Sequence, residues 1–443
     1  MVGIPPFEVE QWMDAYENTP DVLNIAETCA SSISISDLSN LAEGKEPGTP
    51  ASGVLDLSAR MTYGAIRGSE ELRQNIAALY SNPELGGAGR EEEVTRVSPD
   101  NIIITQGAIA ANHLIFYALV GPGDHVVCVF PVYQQLYTVP ETLGAEVSLW
   151  KLKAEDEYVP DVRELKRLIK SNTKMIVINN PNNPTGSTIP EPVLEDIIAI
   201  ARDRNITILS DEVYRPLFHS LPASSSSPSP SPPPSLLALS LKHSYPNIIT
   251  TSSLSKAWAL AGIRVGWLAT PSLSLLSQIA SARDYTTISV SQLDDQIARF
   301  ALSASVAPKL LARNAELART NLGLLSRFVE VENSDVCDWV RPTAGTTAFV
   351  RFFKSSSDGK QSGGAGGGGG EREPVDDAEF CKDLLYETGV MAVPGGKCFG
   401  VGVGGSGSEG AFKGFVRIGY VCETEVLRKA LEKMTWYVNE KLR

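Results

Sequence analysis

The chain has 443 residues, of which 43% are hydrophobic, and a formal net charge of -13. That length exceeds one small core and suits a large α/β unit plus a smaller one. The acidic balance and the lack of any Lys/Arg block exclude a basic nucleic-acid-binding face and favour small-molecule partners.

In chain order, the N-terminus MVGIPPFEVEQWMD has no basic region followed by an apolar run, so it does not read as a secretory signal. Asn101–Thr105 reads as a strand, followed by a helix over Ala108–Leu119. His125–Phe130 is a second strand and Met175–Asn179 a third. A helix over Glu191–Asp203 places Val193, Leu194, Ile197, Ile198 and Ala201 on one apolar face. Ile206–Leu209 and Ile248–Thr251 follow as strands, and Phe415–Tyr420 (FVRIGY) reads as another near the C-terminus. Short apolar strands alternating with amphipathic helices predict an α/β fold: a mostly parallel sheet covered on both faces. No run approaches the roughly 20 apolar residues of a membrane span.

Three stretches interrupt this pattern: Ser/Pro-rich Pro222–Ser235, Gly-rich Ser355–Glu373, and Gly/Ser-rich Gly400–Gly410. Their compositions cannot build a core and read as surface insertions. The expected division is residues 1–50 as an N-terminal arm and part of a smaller domain, 51–325 as the large domain, and 326–443 as the rest of the smaller one. Six scattered cysteines lack CxxC pairing and read as thiols in a reducing, cytoplasmic compartment. Four histidines show no ligand spacing, so no metal is expected.

Several short segments carry chemistry. Ser252–Gly266, SSLSKAWALAGIRVG, follows a strand and sets Lys256 among small residues, with Arg264 eight positions later. A lysine after a serine is by itself an ordinary surface residue. Ser210–Tyr214, SDEVY, ends a strand, where Asp211 could simply cap a helix. Asn179–Gly186, NNPNNPTG, is by composition a turn. Thr105–Asn112, TQGAIAAN, joins a strand to a helix, so Gly107, Ala108 and Ile109 would present unpaired N–H groups at a helix N-terminus, a geometry that binds phosphate. Tyr133 follows a strand in FPVY, and Tyr63 lies in MTYGAIRGSEELR; either could be a core or interface aromatic. Arg417 sits among apolar residues of FVRIGY, and a buried guanidinium should have an anionic partner.

Together and in this order, these segments resemble the class I/II aminotransferases that use pyridoxal phosphate. Ser252–Gly266 matches their SxSKxxxxxGxRxG signature. The resemblance implies fold type I, a three-layer α/β/α large domain that binds the cofactor plus a smaller α+β domain from both termini. It implies that Lys256 carries the cofactor as a Schiff base, its pKa lowered by semi-burial and a nearby cation. Arg264, Ser253 and Ser255, with Gly107, Ala108 and Ile109, would hold the phosphate. Asp211 would keep the pyridine nitrogen protonated, Tyr214 and Asn183 would reach the ring oxygen, and Tyr133 would stack on the ring. Arg417 would bind the substrate carboxylate. Tyr63 would serve the neighbouring subunit's site, which implies a homodimer.

The chain departs from the family at Leu23–Leu38, LNIAETCASSISISDL, where many relatives have a glycine-rich strand. This segment resembles that of capreomycidine-synthase-like, arginine-handling members. With Asn183, Ala26 and Glu27 become candidate substrate contacts, Glu27 for a cationic amino acid; the simpler reading of Glu27 is an exposed or capping glutamate. The expected activity is transfer of an amino group from an L-amino acid to a 2-oxo acid. The departure keeps open a lyase, cyclase or oxidase on the same cofactor. A regulatory DNA-binding role would need a basic helix-turn-helix, which the first 50 residues lack.

Overall fold

A computed structural model describes residues 3–44, 53–82, 97–222, 232–355, 372–403 and 410–443. Most of each of the three expected insertions lies outside these residues.

The Val/Ile-rich runs form the strands of a seven-stranded sheet: β1 (Ile102–Thr105), β2 (His125–Phe130), β3 (Glu146–Lys151), β4 (Thr173–Asn179), β5 (Thr207–Asp211), β6 (Ile248–Ser253) and β7 (Gly266–Ala269). Its order is β1-β7-β6-β5-β4-β2-β3. Only β7 runs against its neighbours; the others are parallel. β2, β5 and β6 are buried at every position, as sheets covered on both faces require. Two strands were not anticipated. β3 is an edge strand whose mixed burial hides its period, and β7 is four residues inside the lysine signature.

Helices cover both faces. Gly107–Leu119 and Glu191–Arg204 pack Leu114, Ile115, Ile197 and Ile198 into one core with Val127, Ile176 and Ile208. Across the sheet, Ile102, Ile104 and Trp267 pack with Trp258, Ile297 and Leu310. A separate core joins both ends of the chain: Val9, Trp12, Ile25 and Ala26 pack with Phe349, Leu384, Val416 and Met434. Its sheet holds β8 (Cys337–Trp339), β9 (Thr347–Phe352), β10 (Val393–Pro394) and β11 (Phe415–Gly419) in the order β10-β11-β9-β8. Beside it, Leu23–Asn24 pairs in parallel with Val390–Met391. This is the α/β architecture expected, with a mostly parallel main sheet and a smaller α+β unit. Among the described residues no helix is long and apolar enough to cross a membrane.

Register positions the site. Asn179 of β4 pairs with Asp211 of β5, and Asp211 with Thr251 of β6. Thr105 of β1 lies against Gly266 of β7. The polar ends of four strands therefore share one edge of the sheet, the carboxyl edge at which open α/β sheets bind ligands.

Candidate active site

At that edge lies a cavity of about 590 Å³. Of the residues singled out in the sequence, Ala26, Glu27, Ala108, Ile109, Tyr133 and Asn183 line it. So do Asp211, Tyr214, Ser253, Ser255, Lys256, Arg264 and Arg417. Gly107 stands directly behind the wall: a Cβ there would come within 2.9 Å of the Arg264 guanidinium. Tyr63 is not at this chain's cavity; it is 83% exposed on the surface.

One side of the cavity is built for an anion. Gly107 starts its helix with φ +81° and no side-chain cap, which leaves the first N–H groups open. Gly266 allows the close approach, since a Cβ there would lie 2.4 Å from the Gly107 carbonyl carbon. Arg264 donates to the Ala261 carbonyl at 3.0 Å and to Ser255 Oγ at 3.4 Å, and no carboxylate among the described residues lies within ion-pair distance.

Asp211 is 4% exposed and accepts from Asn112 Nδ2 at 2.9 Å and from the Val213 N–H at 3.0 Å. Burial raises its pKa to about 6, against the pull of those two hydrogen bonds. Asn112 in turn accepts from Thr251 Oγ1 at 2.7 Å. The sequence reading left Asn112 without a role, although a polar residue on the buried face of an apolar helix needs a partner.

Lys256 Nζ donates to Thr28 Oγ1 at 2.5 Å and lies 3.5 Å from Cys29 Sγ and 3.6 Å from Glu27 Oε1. The expected lowering of the lysine pKa is not found. Burial alone would lower it, but Cys29, Glu27 and Tyr214 outweigh that and raise it. At neutral pH, Glu27 is the anion among them. Burial would raise the Glu27 pKa, yet the Lys256 ammonium and local hydrogen bonds hold it at about 2. Glu27 also accepts from the N–H groups of Thr28 and Cys29 at 2.6 and 3.1 Å, so it caps its own turn while facing the lysine. Thr28 and Cys29 belong to the Leu23–Leu38 segment and carry no local motif of their own. Only the tertiary path of that segment brings them to Lys256.

Arg417, on β11, is 2% exposed. It reaches the Ala26 carbonyl at 2.8 Å and Asn183 Oδ1 at 3.4 Å, sits 5.5 Å from the centre of the Phe399 ring, and its Nε is buried without a hydrogen-bond partner. The anionic partner expected for it is absent: among the described residues no carboxylate pairs with it. Strand β10 pairs Val393 with Arg417. Tyr133 donates to Glu10 at 2.8 Å and packs on Phe7, a contact with the N-terminal helix that the sequence did not suggest.

An anion cradle, a buried carboxylate, a lysine amine and an orphaned guanidinium in one cavity fit a phosphorylated heterocyclic aldehyde with an amino acid beside it. Comparison with known proteins agrees. The family described as "Aminotransferase class I and II" matches residues 40–434. The chain is 26% identical over 411 residues to the aspartate aminotransferase of Thermotoga maritima, covering 91% of this chain and 92% of that one. It is 28% identical over 335 residues to the capreomycidine synthase of Streptomyces vinaceus, covering 75% and 76%. A crystal structure of a PLP-dependent aminotransferase from Streptococcus suis superposes with a TM-score of 0.78 at 33% identity, covering 99% of this chain and 98% of that one. The chain therefore belongs to the class I and II aminotransferases, pyridoxal-phosphate-dependent transferases of fold type I.

Proposed function

We propose that the protein transfers the amino group of an L-amino acid to a 2-oxo acid, with Lys256 as both cofactor attachment point and proton carrier. The observation that carries this reading is that Lys256, Asp211 and Arg417 line the same cavity. When bound, pyridoxal phosphate supplies an electron sink that acidifies the α C–H of the amino acid. Gly107, Ala108 and Ile109 N–H groups, Ser253, Ser255 and Arg264 hold its phosphate. Asp211 keeps a proton on the ring nitrogen, Asn183 and Tyr214 bind the ring oxygen, and Tyr133 lies against the ring. Arg417 takes the substrate carboxylate, with the Ala26 carbonyl and Asn183 steadying its fork. Lys256 Nζ, steadied by the Thr28 hydroxyl, would take the α-proton and return it to the cofactor's aldehyde carbon, across the amino nitrogen.

The test is a half-reaction: candidate L-amino acids are added to the yellow protein without an oxo acid. A suitable donor converts the cofactor absorbance to that of the amine form, and a 2-oxo acid restores it. If no donor produces this exchange, the reaction is not transamination.

A second reading on the same cofactor is a lyase, cyclase or oxidase of specialised metabolism. Thr28 and Cys29 beside Lys256, in the segment that resembles capreomycidine-synthase-like enzymes, favour it. Ammonia, a ring product or peroxide formed without an acceptor would identify it.

We further propose a homodimer. Leu57, Met61, Tyr63 and Ile66 are exposed apolar residues on a segment tied to Arg283 and Gln292 through the Ile66 and Thr62 carbonyls, and Tyr285 and Ile288 between those two anchors are exposed as well, surface suited to a second copy of the chain. The six cysteines, all free thiols, support a reducing compartment such as the cytoplasm.

A further inference from the structure

The N-terminal helix Glu8–Tyr16 closes one side of the cavity. It is fastened to both halves of the molecule. Glu8 N–H donates to Gln134 Oε1 at 2.9 Å, and Trp12 Nε1 donates to the Ala392 carbonyl at 3.0 Å. Lys397 Nζ pairs with the Glu8 carboxylate at 3.1 Å.

The face it turns to the cavity is acidic. Glu10, Asp14 and Glu17 stand at positions i, i+4 and i+7, one stripe of a helix, and all three line the cavity. Such a stripe works against the helix. Like charges four residues apart repel, and acidic groups at a helix C-terminus oppose its dipole. The last turn holds no basic residue to compensate. Glu10 accepts from Tyr133, but Asp14 and Glu17 form no ion pair among the described residues. Glu27 adds a fourth carboxylate, its side chain 48% exposed into the same space.

The cations of the cavity have other work: Lys256 and Arg264 serve the cofactor, and Arg417, 2% exposed, lines the cavity with no carboxylate paired to it among the described residues. For a substrate held by its carboxylate at the buried arginine, the charged groups on the helix wall are all negative, set among Val9, Gln11 and Met13. Val9 and Met13, on the same helix, offer apolar surface to an aliphatic stem.

Resting on the cofactor and carboxylate assignments above, we propose that this wall makes the enzyme selective for amino acids whose side chain ends in a cation, an ammonium or guanidinium group. Glu10, Asp14, Glu17 and Glu27 are the specificity-determining residues. They bind the far end of the substrate and take no part in proton transfer.

The test measures binding separately from turnover. α-Methylornithine and α-methylnorvaline share a carbon stem and differ in the terminal ammonium, and neither has an α-proton to lose. Calorimetry on the cofactor-loaded protein at low salt should give α-methylornithine an advantage of about tenfold or more. In Asp14→Asn/Glu17→Gln, with cofactor absorbance retained, that advantage should fall to about threefold or less while α-methylnorvaline binding is unchanged. Raising the salt should erode the advantage in the native protein, as for solvent-facing charges. An Asp14→Lys variant should shift preference towards α-methylglutamate. Equal binding of the two probes by the native protein, or parallel weakening of both in the double variant, overturns the proposal and leaves the cofactor assignment standing. Failure of the native protein to take up pyridoxal phosphate overturns both.

Discussion

At the residue scale, Asp211 sets function against stability. Its carboxyl titrates near 6 in the folded chain and near 3.8 when unfolded, so the folded state binds the proton more tightly. The Asp211 contribution to the stability of the cofactor-free protein therefore falls as the pH rises between these values and levels off above them, opposite in sign to that of Glu27. The difference corresponds to about 3 kcal/mol. Asp211→Asn should accordingly make the cofactor-free protein more stable at neutral pH and remove this pH dependence, while lowering activity by about a hundredfold or more. Urea titrations at acid and neutral pH measure the first effect; equal slopes for variant and wild type would refute it. Gly107 makes a second case. A methyl group there strains a left-handed backbone and presses on Arg264. Gly107→Ala should weaken cofactor binding about tenfold or more, read by equilibrium dialysis, without collapse of the fold.

At the element scale, the N-terminal helix is held by one large anchor. Trp12 is 3% exposed and packs in the smaller core. Trp12→Ala should cost about 3–5 kcal/mol of packing, borne by that helix. Hydrogen exchange should then show lost protection over Glu8–Tyr16 and retained protection over Thr173–Asn179. The substrate KM should rise more than kcat falls, because the cofactor residues on the main sheet are untouched. Uniform loss of protection would mean that the helix is integral to the whole fold.

On the scale of the whole molecule, the proposed dimer would share each site between two chains. Tyr63→Phe and Lys256→Ala variants, each impaired alone, should regain about a quarter of native activity when mixed and allowed to exchange subunits, because one mixed site carries neither lesion. Sedimentation should give twice the chain mass. Met61→Asp together with Tyr285→Asp should shift it towards the monomer. A fully active monomer would remove Tyr63 from the mechanism.

Much of this is legible in the amino-acid sequence. Uninterrupted apolar runs such as Ile102–Ile104 and Val126–Phe130 point to a covered parallel sheet, because burial on both faces leaves no room for alternation. The chemistry-bearing residues on its carboxyl edge sit in short local motifs, where a turn or helix start dictates their type: Gly107, Asn183, Asp211, Lys256 and Arg264. Tertiary structure alone decided what reaches those motifs from afar. Asn112 under Asp211, Thr28 and Glu27 at Lys256, and the acidic face of Glu10, Asp14 and Glu17 depend on chain paths that no local pattern encodes. The raised pKa of Lys256 belongs with them, since a charge reports its neighbours in space, and two of those neighbours, Cys29 and Glu27, lie more than two hundred residues away along the chain.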